Sequence, residues 1–204
     1  MSFEPILVLA SGSPRRREIL GALGLTFTVR LPDPEETIVP GESPESAVLR
    51  LAEQKADSVS VAPSELVLAA DTVVVLDGDL LGKPADDRGA IEMLMRLSGR
   101  SHEVFTGLAL RVERRTVSMV TRTEVTFRSF DRVECESYVA TGEPLDKAGA
   151  YGIQGFGSAL VERIHGDFFN VMGLPVATLL RLFDSFGYRY AYGRVVRDRP
   201  CEEA

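Results

Sequence analysis

The chain has only two cysteines, Cys135 and Cys201, far apart in its 204 residues and without histidines at metal-ligand spacing. Neither a disulfide framework nor a zinc cluster can organise such a chain, and a reducing cytosol is the expected compartment. Positive charge is also in short supply. With 23 Lys and Arg against 30 Asp and Glu the net charge is −7, whereas a protein that tracks a nucleic-acid backbone needs an excess of cations to displace counterions. No apolar run reaches membrane-spanning length, and the N-terminus enters an apolar run without a basic leader or a small-residue cleavage site. The expectation is a soluble, cytoplasmic protein that binds neither nucleic acid nor membrane. Internal repeats are absent, and the last dozen residues (GRVVRDRPCEEA) lack periodicity. One domain over residues 1–192 is therefore expected, with residues 193–204 a frayed tail.

What is present begins with Ile6 to Leu20, ILVLASGSPRRREIL. A strand-length apolar run breaks into Ser11, Gly12 and Ser13, and Pro14 then opens a charged helix. Ser11 or Ser13 can cap that helix, and Pro14 suits its first turn, where a missing N–H costs nothing. Arg15 and Arg16 in a first turn oppose the helix dipole unless an anion compensates them, and guanidinium forks match phosphate oxygens in pairs. Ordinary capping with a solvated arginine face is the other reading of the same residues. The turn lacks both the Gly-Lys-Ser/Thr ending of a Walker A loop and the dinucleotide G-x-G-x-x-G.

Further along, Leu25 to Leu31 alternates as a strand, and the proline- and acid-rich segment from Pro32 to Pro44 reads as a loop. Ser43 or Ser46 caps a helix running to about Ser58, with Ala47, Leu51 and Lys55 at four-residue spacing. Lys55 can stabilise the helix C-terminus or reach a substrate. Leu66 to Leu76 is the most buried-looking strand, yet it holds Asp71, a residue costly there unless paired, metal-bound or placed in a loop between two shorter strands. Asp77-Gly78-Asp79 predicts a hairpin turn leading to Lys83, which the fold-back can bring near Asp71. Asp86 to Leu97 predicts a helix with Ile91, Leu94, Met95 and Leu97 inward. Strands are predicted at His102 to Val112, Thr116 to Phe127 and around Ser129. A helix over Asp131 to Thr141 is predicted to face Val133, Ser137 and Val139 inward. The glycine-rich stretch from Glu143 to Gly157 can let backbone approach a ligand, and Gln154 within it offers an amide to a nucleobase edge or to its own loop. A strand over Ser158 to His165, a turn at Asp167 to Asn170 and a helix over Leu174 to Phe186 complete the reading.

SGSPRR (Ser11 to Arg16), ADTVV (Ala70 to Val74), GKP (Gly82 to Pro84), DKAGAYGIQG (Asp146 to Gly155) and NVMGLP (Asn170 to Pro175), in this order and spacing, resemble the Maf family over nearly the whole chain. The form DKAGAYGIQG resembles the branch acting on dTTP and UTP, whereas a GKAGGF-like stretch marks the branch acting on 7-methyl-GTP. The resemblance implies a mixed α/β fold similar to that of the inosine triphosphate pyrophosphatases, elongated and two-lobed, with a long twisted sheet, flanking helices and a central cleft. It implies hydrolysis of nucleoside triphosphates to monophosphate and pyrophosphate with a divalent cation such as magnesium or manganese, in a homodimer. Asp71 is the implied proton acceptor, and Arg15, Thr72 and Gln154 are the implied specificity positions. Ser13, Arg16, Lys55 and Lys83 are implied to line the phosphate cleft, with Asp71 and Glu36 able to touch the metal. A nucleotide-binding regulator of septum formation and a pyrophosphatase for 7-methyl-GTP are the alternatives.

Overall fold

The computed structural model describes residues 4–33, 39 and 41–197. In chain order its elements are β1 (Ile6–Ala10), α1 (Pro14–Ala22), β2 (Phe27–Val29), α2 (Pro44–Asp57), β3 (Glu65–Leu76), β4 (Asp79–Leu81), α3 (Asp87–Leu97), β5 (Ser101–Val112), β6 (Arg115–Phe127), α4 (Arg132–Val139), β7 (Val161–His165), α5 (Phe168–Val171), α6 (Val176–Asp184), β8 (Tyr188–Tyr190) and β9 (Val195–Arg197). Three short 3-10 turns, Glu143–Asp146, Ala148–Ala150 and Gly155–Leu160, lie between α4 and β7. The mixed sheet has the order β2-β1-β3-β5-β6-β7, with β4 on β3, and β8 pairs separately with β9. The chain forms two compact units, residues 1–71, 107–120 and 173–204 in the first and residues 72–106 and 121–172 in the second.

In the first unit, β1 pairs in parallel with both β2 and β3, Val8 lying opposite Thr28 on one side and Val67 on the other. Strands covered on both faces read as continuous apolar runs, as ILVLA and ELVLAA do. Of the two expected caps, Ser43 makes the one on helix α2, accepting from the Ser46 N–H, and Pro44, expected in the preceding loop, occupies the first turn. The helix lies on the sheet through small residues: Ala52 and Ala56 share one buried cluster with Val8, Ala10, Val67, Ala69 and Ala109. Gly107 sets the approach, since a Cβ there would come within 2.4 Å of the Val48 carbonyl oxygen. The inward face is thus Val48, Ala52 and Ala56, and Leu51 and Lys55 fall on its half-buried edge. The C-terminal expectation is corrected. Val195–Arg197 is strand β9, paired with β8, and Tyr190 donates its hydroxyl to the Leu23 carbonyl at 2.7 Å. Residues 198–204, with Cys201, lie outside the described residues.

In the second unit, Asp77 (φ 53°) and Gly78 (φ 87°) turn β3 into β4, with Val74 opposite Leu81. Consecutive positive φ angles give the primed turn that a two-residue hairpin favours. The core gathers Leu94 and Leu97 of α3, Phe127 of β6, Cys135, Tyr138 and Val139 of α4, and Tyr151. Two helix faces differ from prediction. Met95 is exposed while Ala90 and Leu94 are buried, and on α4 Val133 and Ser137 face solvent while Cys135, Tyr138 and Val139 pack inward. Ser129 is in no strand, the segment from Ser158 opens with a 3-10 turn before β7, and Asp167 caps the four-residue α5 by accepting from Phe169 and Asn170 N–H groups.

Candidate active site

The first unit holds Ser13, Arg15, Arg16, Lys55 and Asp71. Helix α1 has Ser13 as its N-cap residue and Pro14 at its first position, no acidic residue in its first turn and no side-chain cap. The expected serine cap is therefore not made. Ser11 instead accepts from the Ser13 N–H at 3.2 Å and from the Arg16 guanidinium at 3.0 Å. Arg16 turns inward, donating also to the Ala70 carbonyl at 2.9 Å and the Gly173 carbonyl at 2.9 Å. It clips together the exit of β1, the residue before Asp71 and the chain leading to α6. Arg15, one position earlier, is only half-buried.

Asp71 sits inside one unbroken strand, not in a loop between two short ones. Its carboxylate is tolerated there because Lys55, in the last turn of α2, donates to Oδ1 at 2.6 Å, with the two side chains 13% and 12% exposed. Lys55 thus reaches across to β3 rather than serving only its own helix end. A second cation lies nearby that no sequence pattern marks. Arg50, on the same helix, donates two hydrogen bonds to the Glu42 carboxylate at 2.8 and 2.6 Å. That hydrogen-bonded pairing raises the Arg50 pKa, outweighing burial, and the Asp71 charge adds to the same direction. Glu42 and Arg50 are eight residues apart across a helix start, a separation that no local pattern marks.

The second unit holds Thr72, Lys83 and Gln154. The Thr106 hydroxyl gives its one hydrogen to the Asn170 carbonyl at 2.9 Å, so Thr72 is the donor in its 3.0 Å contact with Thr106. Asn170, from NVMGLP, is fully buried and donates to the Val104 carbonyl and the Thr123 hydroxyl, both at 2.9 Å. Thr106 and Asn170 are supporting residues that no sequence motif had linked to Thr72. Lys83 is exposed just after β4, and the Gly82 carbonyl accepts from Gly149 N–H at 3.0 Å. Gln154 is exposed between buried Ile153 and the turn Gly155–Leu160.

The neighbouring glycines are also close-packed within the chain. A Cβ on Gly155 would lie 2.5 Å from Glu143 Oε2, one on Gly157 2.3 Å from the Gly152 carbonyl oxygen, and one on Gly149 3.0 Å from Val74. They pack the chain against itself. His102 is buried, its Nε2 2.8 Å from the Tyr151 hydroxyl and its ring edge-on to Phe127, and burial pulls its pKa down to about 4. It is a core histidine.

A divalent ion was tested against these residues. Among the described residues no group of three His, Cys, Asp or Glu side chains could hold a metal. Magnesium, however, is commonly held by one or two carboxylates together with substrate phosphates and water. Asp71 fits that minimal role, while Glu36 lies outside the described residues.

Cations around a held carboxylate suit an anionic substrate. The chain matches the family model described as Maf-like protein over residues 6–186. It is 50% identical over 188 residues to a dTTP/UTP pyrophosphatase of Anaeromyxobacter dehalogenans (strain 2CP-C), covering 90% of this chain and 95% of that protein. It is also 50% identical over 183 residues to a dTTP/UTP pyrophosphatase of Symbiobacterium thermophilum, covering 89% and 94%. A solved structure of a HAM1 protein from Coxiella burnetii aligns with a TM-score of 0.46 and 21% identity over 77% of this chain and 80% of that one. The chain belongs to the Maf family.

Proposed function

We propose that the protein hydrolyses dTTP and UTP to the monophosphate and pyrophosphate. The observation that carries the reading is the Lys55–Asp71 pair at 2.6 Å, a held carboxylate in a largely apolar strand, in a chain half identical to proteins named for this activity. Water adds across the anhydride between the α- and β-phosphates: its oxygen bonds to phosphorus, its proton passes to Asp71, and pyrophosphate leaves with the bridging oxygen. Lys55 orients Asp71, and Arg16 fixes the mid-strand backbone just before it through the Ala70 carbonyl. Ser13, Arg15 and Lys83 take the phosphates, as guanidinium and ammonium groups do where negative charge builds up. Asp71 would hold a divalent ion such as magnesium or manganese, which would supply charge neutralisation on the transferring group. The protein acts in the cytoplasm as a homodimer on this reading, a state that light scattering would measure.

Gln154 and Thr72 recognise the base. Uracil and thymine share a carbonyl beside an N3–H, which a fixed amide meets with one donor and one acceptor, whereas cytosine reverses part of that pattern. A wrong base leaves polar groups unpaired, while a methyl at the ring 5-position matters little. The test is kcat/KM for UTP, dTTP, CTP and GTP on the native protein and on Gln154→Glu. UTP and dTTP lead in the native protein, and the variant loses that ranking. CTP or GTP as the best native substrate, or an unchanged ranking in the variant, refutes this reading.

A further inference from the structure

Glu143 has no part in the chemistry above, yet its carboxylate accepts three hydrogen bonds. Its Oε1 accepts from the Tyr138 hydroxyl at 2.8 Å and the Gly157 N–H at 3.0 Å, and its Oε2 accepts from the Phe156 N–H at 2.9 Å. The Tyr138 hydroxyl in turn accepts from the Gly152 N–H at 3.1 Å. The two side chains therefore grip the backbone at Gly152 on one side of Gln154 and at Phe156 and Gly157 on the other. Glycine is demanded at this grip. Gly155 has φ +67° and no room for a Cβ beside Glu143 Oε2, and Gly157 would drive a Cβ to 2.5 Å from the Tyr138 hydroxyl. Between the grips the Gln154 side chain is exposed.

Burial disfavours the charged form of Glu143, but the hydrogen bonds from Tyr138, Gly157 and Phe156 and the charge of Lys147 outweigh it, and its pKa lies below the usual carboxylate value. A charged acceptor holding two consecutive backbone N–H groups is a stronger fastening than a neutral one. The chemistry matters because an amide reads a base edge only when its direction is fixed, and a loose one pays the ordering entropy on binding and accepts more partners.

We infer that Glu143, through Tyr138, is the positioning residue that fixes the Gln154 turn and so sets base selectivity. The inference rests on the assignment of Gln154 to base recognition. Its test compares the native protein with Glu143→Ala, Glu143→Gln, Gln154→Ala and the Glu143→Ala/Gln154→Ala double variant. The readings are the UTP-to-CTP ratio of kcat/KM and amide hydrogen exchange over residues 152–157. Glu143→Ala lowers the ratio at least tenfold and speeds exchange in that segment. Glu143→Gln, which keeps one acceptor oxygen, falls between it and the native protein. Adding Glu143→Ala to Gln154→Ala lowers the ratio no further. Should Glu143→Ala fail to fold, Tyr138→Phe removes only the bridging hydroxyl and moves both readings the same way by a smaller amount. A native ratio in Glu143→Ala beside a collapsed ratio in Gln154→Ala overturns the positioning role alone, as does a fall in ratio without faster exchange. A native ratio in Gln154→Ala overturns the base assignment, and the positioning role with it.

Discussion

Lowering the pH from 7 to 5 perturbs one buried group whose effect can be worked out. His102 is 2% exposed, its pKa is drawn down to about 4 by burial, and its Nδ1 has no hydrogen-bond partner among the described residues. Unfolded, a histidine titrates near 6.5. Between those values the unfolded chain binds the proton and the folded chain does not, so stability falls as pH falls below about 6.5 and levels off below about 4. At pH 5 the unfolded state gains roughly 2 kcal/mol relative to pH 7 from this group alone, because the folded state remains almost wholly unprotonated there. The assay is urea unfolding of the native protein and of His102→Gln at both pH values. The glutamine cannot titrate and still reaches the Tyr151 hydroxyl, so other titrating groups cancel in the comparison. The native protein should lose roughly 2 kcal/mol more than the variant. Equal losses would mean that His102 is protonated in the fold and that the buried contact with Tyr151 has been misjudged.

Arg16→Ala leaves the Ala70 and Gly173 carbonyls and the Ser11 hydroxyl without the guanidinium and should cost roughly 2–4 kcal/mol of stability, measured by denaturant midpoint. A loss under about 0.5 kcal/mol, the range of an ordinary surface change, would contradict the clip. Gly107→Ala places a Cβ 2.4 Å from the Val48 carbonyl oxygen, so α2 must move off the sheet. Both melting temperature and turnover should drop, because Lys55 moves with α2. Unchanged turnover in a destabilised variant would separate the α2 approach from the Lys55–Asp71 contact.

The parallel strands were legible because burial on both faces writes itself as unbroken apolar runs, as in ILVLA. The α2 cap and the Asp77-Gly78 turn were legible because each needs particular residue types locally. Helix faces were less so. Val133 on α4 is apolar but 67% exposed, whereas Tyr138 turns inward because its hydroxyl meets Glu143, a partner that periodicity does not reveal. The β8–β9 hairpin was missed because three-residue strands with polar members show no period, and the Tyr190 contact to Leu23 spans 167 residues.

The candidate site followed the same division. Asp71 announced itself as a charge in an apolar strand, but its pairing with Lys55 joins a strand to a helix 16 residues away. The inward acceptors of Arg16, two of them backbone carbonyls, have no sequence signature. The close packing of Gly155 and Gly157 against Glu143 and Tyr138 has no sequence signature.

On the proposed reading, a lysine-held Asp71 drives cleavage of a pyrimidine nucleoside triphosphate between its α- and β-phosphates. The most direct test follows the products of UTP by phosphorus NMR, with magnesium present, for the native protein and for Asp71→Asn. The native protein should release UMP and pyrophosphate in equal amounts. The variant, which keeps the shape but cannot take a proton, should fold, bind UTP and turn over roughly 10²–10⁴-fold more slowly. Near-native turnover in Asp71→Asn, or UDP and inorganic phosphate as the native products, would contradict the account.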